Sequence, residues 1–262
     1  MRKTEKYGEN IYGICTPYKD IFTTVYFVKT DRGALLFDTA SFDCDIDECI
    51  LPALEELGIG NEELKYVFIS HNHKDHAGGL ERLLEYFPDV TVISKSPELK
   101  EKHPEGNVVA PEENERFLDC LTVVSIMGHT SDSAALYDER TKTLISGDCL
   151  QLYGIFGSGK WGANISFPKE YASAIKALSE MDIETLLTAH DYHPYGRCHF
   201  GKEAVGMALS ACTEPFALIK DFILAEPEAD DERIAEMYNS ENKLPTLSAH
   251  VVREYRKSFD NG

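Results

Sequence analysis

The chain has 262 residues, 43% of them hydrophobic and 27% charged, a composition that fits one large α/β domain, or such a domain with a helical appendage. Its 26 Lys and Arg against 45 Asp and Glu give a formal charge of −19, which argues against nucleic acid and anionic membranes as partners. No apolar run approaches the roughly 18 residues of a transmembrane helix, and no apolar stretch follows the basic residues near Met1, so we expect a cytoplasmic protein.

The first half of the chain predicts alternating strands and helices. Apolar runs bounded by turn residues indicate strands, whereas apolar residues at spacings of three and four indicate helices. The predicted elements are a β-hairpin over 21–40, a helix over 45–60, a strand over 64–70, a helix over 80–88 and a strand over 90–94.

The second half continues this pattern and then becomes helical. The predicted elements are strands over 120–126, 133–138 and 142–148, a helix over 168–181, a strand over 184–190, and helices over 202–226 and 231–240. We therefore predict an α/β domain over residues 1–201 and an α-helical extension over residues 202–262 that packs on it. The seven cysteines form no CxxC pair, which argues against a disulfide framework or a cysteine-rich zinc site.

Potential metal ligands follow the predicted strands. The segment SHNHKDHAGG, residues 70–79, places three histidines and an aspartate in six positions directly after a strand. Neutral imidazoles and carboxylates are ligands of zinc, and a pair of ions could use all four side chains of such a loop. Three later donors also follow strand-like runs, namely His129, Asp148 and His190.

This order of donors, HxHxDH followed by a distant His, an Asp and a last His, resembles the metallo-β-lactamase superfamily over about residues 10–195. The resemblance implies a four-layer αββα sandwich with two metal ions at one edge, zinc first and iron or manganese as alternatives. It implies His71, His73 and His129 as ligands of one ion, Asp75, His76 and His190 as ligands of the other, and Asp148 as the bridge between them. Asp38 resembles a family aspartate that supports the histidine loop through hydrogen bonds.

The resemblance implies a hydrolase that attacks a small ester, thioester or lactone with a metal-bound hydroxide. Asp75 is the candidate catalytic residue, because it could orient the attacking oxygen or accept its proton. The HxHxDHxGG loop resembles the glyoxalase II and lactonase branches. His76 and Asp148 differ from the residues that secreted β-lactamases generally carry there, and His73 replaces the glutamate of flavo-diiron proteins.

The glycine-rich, aromatic segment 152–167 is predicted to select a small-molecule substrate. Candidate substrate contacts are Tyr153, Lys160, Trp161 and His193. A glutathione thioester lacks an obvious anchor, because acidic residues prevail in the helical tail.

Other functions stay open at this point. A persulfide dioxygenase-like oxidoreductase on the same scaffold would bind one iron through His71, His129 and Asp148. A non-catalytic protein would use the metal for stability or sensing. Phosphodiester hydrolysis is disfavoured by the charge of −19, and a homo-oligomer formed through the tail is an open alternative to a monomer.

Overall fold

The computed structural model describes residues 4–103, 107–152, 164–241 and 246–260. Two β-sheets form its centre, one of seven strands and one of six. Their facing sides share an apolar cluster that includes Tyr26, Phe37 and Phe68 from the first sheet and Leu136 and Leu187 from the second. The sheets therefore pack face to face as the inner two layers of a sandwich.

The first sheet follows chain order. Its strands are β1 (Glu5–Tyr7), β2 (Ile11–Tyr18), β3 (Ile21–Thr30), β4 (Gly33–Phe37), β5 (Leu64–Ile69), β6 (Thr91–Ser94) and β7 (Val108–Val109). Strands β1 to β4 pair antiparallel, whereas β4 to β7 pair parallel. The parallel strands end at the same edge of the sheet, and the chain leaves that edge at Asp38 and Ser70.

Helical segments connect the parallel strands. They are α1 (Asp43–Asp45), a π-helical turn (Ile46–Ile50), α2 (Leu51–Glu56), α3 (Lys74–Ala77), α4 (Leu80–Tyr86) and α5 (Pro97–Lys102). Ile46, Ile50, Leu54 and Leu83 pack against the outer face of the first sheet in one buried cluster. These helices form the first outer layer.

The second sheet is mostly antiparallel. Its strands are β8 (Arg116–Phe117), β9 (Leu121–Ser125), β10 (Ala134–Asp138), β11 (Thr143–Gly147), β12 (Thr185–Tyr192) and β13 (Gly196–Phe200). Strands β11 and β12 pair parallel, joined by a connection that contains α6 (Pro168–Glu180). Their carboxyl ends therefore lie at one edge, where Asp148 and His190 are found.

Three C-terminal helices complete the second outer layer. They are α7 (Lys202–Ala225), α8 (Asp231–Glu241) and α9 (Ala249–Asp260). Their buried side chains, among them Ile219, Tyr238 and Tyr255, share one cluster with Tyr171 of α6 and Leu186 of β12. The αββα sandwich with C-terminal helices is confirmed, while the domain boundary at residue 201 stays a prediction. Within the described ranges, no helix has both the length and the apolar character needed to cross a membrane.

Candidate metal centre

The structure brings all seven predicted donors together at one edge of the sandwich. The loop after β5 carries four of them, and the second sheet supplies the others after β9, after β11 and near the end of β12. Ligand atoms lie within 4.8 Å of one another in each of three groups: His71, His73 and His129; Asp75, His76 and His190; and His71, His76 and Asp148. Two of these groups match the two ligand sets that the resemblance implies.

Two glycines allow the histidine loop to pack tightly against the chain that follows β4. A Cβ atom on Gly78 would lie 2.3 Å from the carbonyl oxygen of Ser41, and one on Gly79 would lie 2.3 Å from that of Thr39. Thr39 also donates two hydrogen bonds to the carbonyl oxygen of His76, from its amide nitrogen at 2.7 Å and from Oγ1 at 3.0 Å. The loop is therefore held by backbone contacts as well as by side chains.

The first group is accessible from the cleft through His73, which is partly exposed, while His71 and His129 are buried. Nε2 of His129 lies 2.9 Å from Nδ1 of His73. Its other ring nitrogen, Nδ1, lies 2.6 Å from the carbonyl oxygen of Asn164, which can only accept a hydrogen bond. The proton of His129 is therefore placed on Nδ1, so that the lone pair of Nε2 points toward the group.

The second group is oriented in the same way. Nδ1 of His190 lies 2.8 Å from the carbonyl oxygen of Phe22, so this nitrogen is the donor and Nε2 faces the group. Oδ2 of Asp75 lies 3.5 Å from Nε2 of His190 and 3.5 Å from Nε2 of His76. The hydroxyl of Thr23 donates to the same carboxylate oxygen at 3.1 Å.

Asp148 faces both groups with different oxygens. Its Oδ2 lies 3.3 Å from Nε2 of His129, and its Oδ1 lies 3.6 Å from Nε2 of His190. Oδ1 also accepts hydrogen bonds of 2.7 Å from the amide of Gln151 and 2.7 Å from the hydroxyl of Tyr192. These two donors fix the plane of the carboxylate.

Asp38 lies beneath the histidine loop, fully buried and with φ of 64°. Its Oδ1 accepts a hydrogen bond of 2.8 Å from the amide of Ser70, and its Oδ2 accepts one of 3.0 Å from the hydroxyl of Ser70. Nδ1 of His76 lies 2.7 Å from Oδ2. The carboxylate therefore orients His76 so that Nε2 faces the donor cluster.

Burial and charge shift the pKa values within the site. Burial, together with the neighbouring His76 and His129, holds the pKa of His71 well below its ordinary value. Burial alone would raise the pKa of Asp148, but the surrounding histidines, His190 and His129 first, hold it well below the usual range. Burial alone would lower the pKa of His76, but the charges of Asp75 and Asp38 outweigh it and raise the pKa to about 9. At neutral pH the metal-free site thus combines the ionised carboxylate of Asp148, the neutral imidazole of His71 and the protonated imidazole of His76.

Of the seven donor side chains, two have a buried ring nitrogen without a hydrogen-bond partner among the described residues, namely Nε2 of His71 and Nε2 of His76. A buried polar atom without a partner costs free energy, and a bound cation would satisfy both nitrogens. The donors around them are imidazoles and carboxylates, which are the ligands that zinc, iron and manganese accept. The residues present therefore fit a metal centre.

A cleft of about 280 Å³ opens over the donors. Besides five of the donors, it is lined by Tyr18, Lys19, Ile21, Lys74, Gln151 and Asn164. Among the predicted substrate contacts, Tyr153, Lys160 and Trp161 fall outside the described residues. His193 is exposed beyond the end of β12 and is not among the lining residues.

Sequence reasoning missed several residues that contact the donors, among them Thr23, Gln151 and Tyr192, whose side chains bond to Asp75 or Asp148. Tyr192 carried a usable signal, because residues two apart on a strand point to the same side and His190 is itself a predicted ligand. Thr23 and Gln151 carried none, since each reaches its donor through the packing of separate elements.

Comparisons with known proteins agree with this geometry. A family model described as the metallo-beta-lactamase superfamily matches residues 18–190. A hydroxyacylglutathione hydrolase of Buchnera aphidicola is 28% identical over 143 residues, which cover 54% of this chain and 53% of the relative. A beta-lactamase-like protein 2 homolog of Caenorhabditis elegans is 27% identical over 138 residues, 49% of this chain and 44% of the relative. The chain thus spans about half the length of the curated relatives it matches.

Solved structures share the fold at low sequence identity. The rubredoxin oxygen:oxidoreductase of Desulfovibrio gigas superposes with a TM-score of 0.67 at 20% identity, covering 82% of this chain and 61% of that one. A metallo-beta-lactamase from Pontibacter korlensis gives a TM-score of 0.62 at 20% identity, covering 82% of this chain and 100% of that one. The family model spans more than half of the sequence and includes all seven donors, and the chain belongs to the metallo-β-lactamase superfamily.

Proposed function

We propose that this protein is a hydrolase that holds two zinc ions and cleaves a small ester, thioester or lactone. One observation carries the proposal: the two oxygens of Asp148 face two separate groups of donors, at 3.3 Å from His129 and 3.6 Å from His190. A carboxylate in this position suits a bridge between two ions. The hydroxyacylglutathione hydrolases among the relatives support a hydrolase role.

In this proposal the two ions would be held by the two donor groups, with Asp148 between them. Zinc ions, when bound, lower the pKa of a coordinated water and polarise a substrate carbonyl as Lewis acids. Five of the seven donors line an open cleft that a substrate can enter, whereas structural zinc sites are usually closed by their protein ligands. This favours a catalytic role over a structural one.

The chain's own residues would bind the substrate and move a proton. Asp75 lines the cleft, and we assign it to orient the attacking water and to accept its proton at a carboxylate oxygen. The hydroxyl of Thr23 holds that carboxylate in place through its bond to Oδ2. Tyr18 and Ile21, from the turn between β2 and β3, form an apolar wall of the cleft that excludes water from one side of the substrate.

The experiment measures metal content and hydrolysis on the same preparation. Elemental analysis by mass spectrometry should find about two zinc ions per chain, and a panel of small esters, thioesters and lactones should be turned over. His76→Ala should lower the zinc content to about one ion per chain and reduce kcat/KM by at least about a hundredfold, because the second donor group is lost. His250→Ala, which removes an exposed imidazole on α9, is the matched control and should change neither value.

Other results would reject the proposal. One iron per chain, with oxygen consumed in the presence of a persulfide, would identify an oxidoreductase. Two bound zinc ions without turnover of any panel compound would favour a metal-binding protein. A cytoplasmic location, a small-molecule partner and self-association through the tail stay predictions from the sequence.

A further inference from the structure

Two lysines stand at the mouth of the cleft over the metal centre. Lys19 lies in the tight turn between β2 and β3, and Lys74 is the first residue of α3, directly after His73. Both side chains are exposed, and both line the cleft. The two cations therefore belong to segments that are remote in sequence but border one opening.

Each ammonium group lies over an aromatic ring. Nζ of Lys19 is 4.9 Å from the centroid of Tyr18, and Nζ of Lys74 is 4.5 Å from the centroid of Phe42. A ring face attracts a cation and restricts its movement but does not neutralise it. In the described part of the chain, no carboxylate oxygen lies within 4.0 Å of the Lys74 ammonium. Lys74 therefore keeps its charge available to a ligand.

The described lining of the cleft also contains two acidic residues. Its acidic lining residues are Asp75 and Asp148, and both face the histidines of the donor groups. Among the described lining residues, the charge at the mouth is thus positive, in a chain whose formal charge is −19. Local cations next to a reaction site raise the local concentration of anions, even when the net charge of the protein repels them at long range.

We propose that the substrate carries a carboxylate, and that Lys19 and Lys74 recognise it. This inference rests on the proposed hydrolase function and names the class of molecule that this function would act on. An acyl compound of the proposed class can carry a carboxylate on its acyl group or on its leaving group, and a lysine ammonium at the mouth of the cleft can pair with it through a charge-assisted hydrogen bond. A neutral acyl compound enters the same cleft but gains nothing from the lysines.

The kinetic test compares matched substrates on the zinc-loaded protein. One pair is S-acetyl-3-mercaptopropionate and its N-methylamide, and the other is S-methyl thiosuccinate and its terminal amide, so that the carboxylate lies on the leaving group or on the acyl group. For at least one pair the acid should have the higher kcat/KM, through a lower KM. Lys19→Gln and Lys74→Gln should each remove up to about fivefold of that preference, the range expected for an exposed ion pair.

Three controls separate recognition from general effects. Lys74→Arg keeps the charge and should keep most of the preference. Lys65→Gln makes the same change in net charge at the far end of β5 and should leave the preference intact. In both cleft variants the loss of kcat/KM should be larger for the acids than for the neutral amides. Equal turnover of acid and amide by the unmodified protein in both pairs, or an equal loss for both compounds in the variants, would overturn the inference while leaving the hydrolase proposal standing.

A binding test does not depend on turnover. 5-Oxohexanoate is the analogue of S-acetyl-3-mercaptopropionate in which a methylene group stands in place of the sulfur, so it cannot be hydrolysed. Its neutral counterpart is 5-oxohexanamide. Calorimetric titration of the zinc-loaded protein should show about tenfold tighter binding of the acid, and the Lys19→Gln/Lys74→Gln double variant should bind the two compounds equally. If no thioester were hydrolysed but this difference were present, the hydrolase proposal would fail and the recognition of carboxylates would stand. If the double variant kept the full preference, the lysines would not be its source.

Discussion

The phenolic hydroxyl of Tyr192 donates a 2.7 Å hydrogen bond to Oδ1 of Asp148, the oxygen that also faces His190. Both residues are buried, and burial together with the charge of Asp148 raises the pKa of Tyr192 well above its ordinary value. The phenol therefore stays protonated and acts as a constant donor. Its position suggests a role in directing one carboxylate oxygen toward each donor group.

Replacing Tyr192 by Phe should weaken zinc binding by about 10- to 100-fold, the range typical for the loss of a hydrogen bond to a metal ligand. The measurement is competition with a chromophoric chelator. Tyr137→Phe is the matched control, because its hydroxyl donates a 2.8 Å hydrogen bond to the carbonyl oxygen of Asp182, which is not one of the seven donors. Equal zinc affinity in the two variants would contradict the role assigned to Tyr192.

Replacing Asp38 by Asn should selectively weaken the second donor group. Asn tolerates the left-handed backbone at this position, so the turn after β4 can be kept, but the negative charge beside Nδ1 of His76 is lost. The variant should retain fewer zinc ions per chain than the unmodified protein after dialysis against a weak chelator. Retention of both ions with unchanged affinity would show that the charge of Asp38 does not support His76.

The metal-free protein should lose stability as the pH rises through 9. The pKa of His76 is raised from 6.5 to about 9 in the folded chain, so protonated His76 contributes stability that is complete below about pH 6.5 and is lost as the pH rises through the folded value. The contribution is on the order of 3 kcal/mol. Urea unfolding of the chelated protein at pH 6.5 and 9.5 measures it, with His76→Gln as the reference.

The His76→Gln variant should show a smaller loss of unfolding free energy between these two pH values. The zinc-loaded protein should not show the His76 contribution either, because a metal-binding imidazole is neutral. Identical pH dependence of the metal-free parent and the variant would reject the raised pKa of His76.

Replacing Gly79 by Ala should destabilise the fold by about 1–3 kcal/mol, since the new methyl group would meet the backbone carbonyl of Thr39, which cannot move without shifting the loop. Gly206→Ala is the contrasting variant. It lies in α7, where a Cβ atom would have nothing within 4 Å, and the change should stabilise the protein by about 0.5–1 kcal/mol through helix propensity. Thermal or urea unfolding of both variants checks the two signs, and a stable Gly79→Ala protein would contradict the close approach.

The elements with strong periodicity could be predicted from the sequence. The hairpin of β3 and β4, the helix α6 and the parallel strands β5, β11 and β12 lie where their apolar patterns place them. The short edge strands β1, β7 and β8 were missed because two or three residues carry no measurable period. Strand β2 was missed because Gly13 and Pro17 interrupt its pattern, although its neighbour β3 supplies the pairing.

The helix α9 was also missed, although Val251, Val252 and Tyr255 lie at helical spacing and are buried. The spacing of these apolar residues is a helical signal that the sequence does carry. For the site, the donors could be listed from their order along the chain, because that order resembles the pattern of the metallo-β-lactamase superfamily. The orientation of each ring could not be predicted, since it depends on carbonyl groups such as those of Phe22 and Asn164, which carry no side-chain identity.

The two donor groups on either side of Asp148 each combine side chains from both sheets. The loop after β5 supplies His71, His73, Asp75 and His76, and the second sheet supplies His129 and His190. Because the chain is synthesised from its N-terminus, His190 is added about 120 residues after the loop begins. A nascent chain that has not yet released His190 from the ribosome therefore offers an incomplete set of ligands. We expect full metal loading to follow the emergence of His190, so the ions must be available after both sheets have been synthesised.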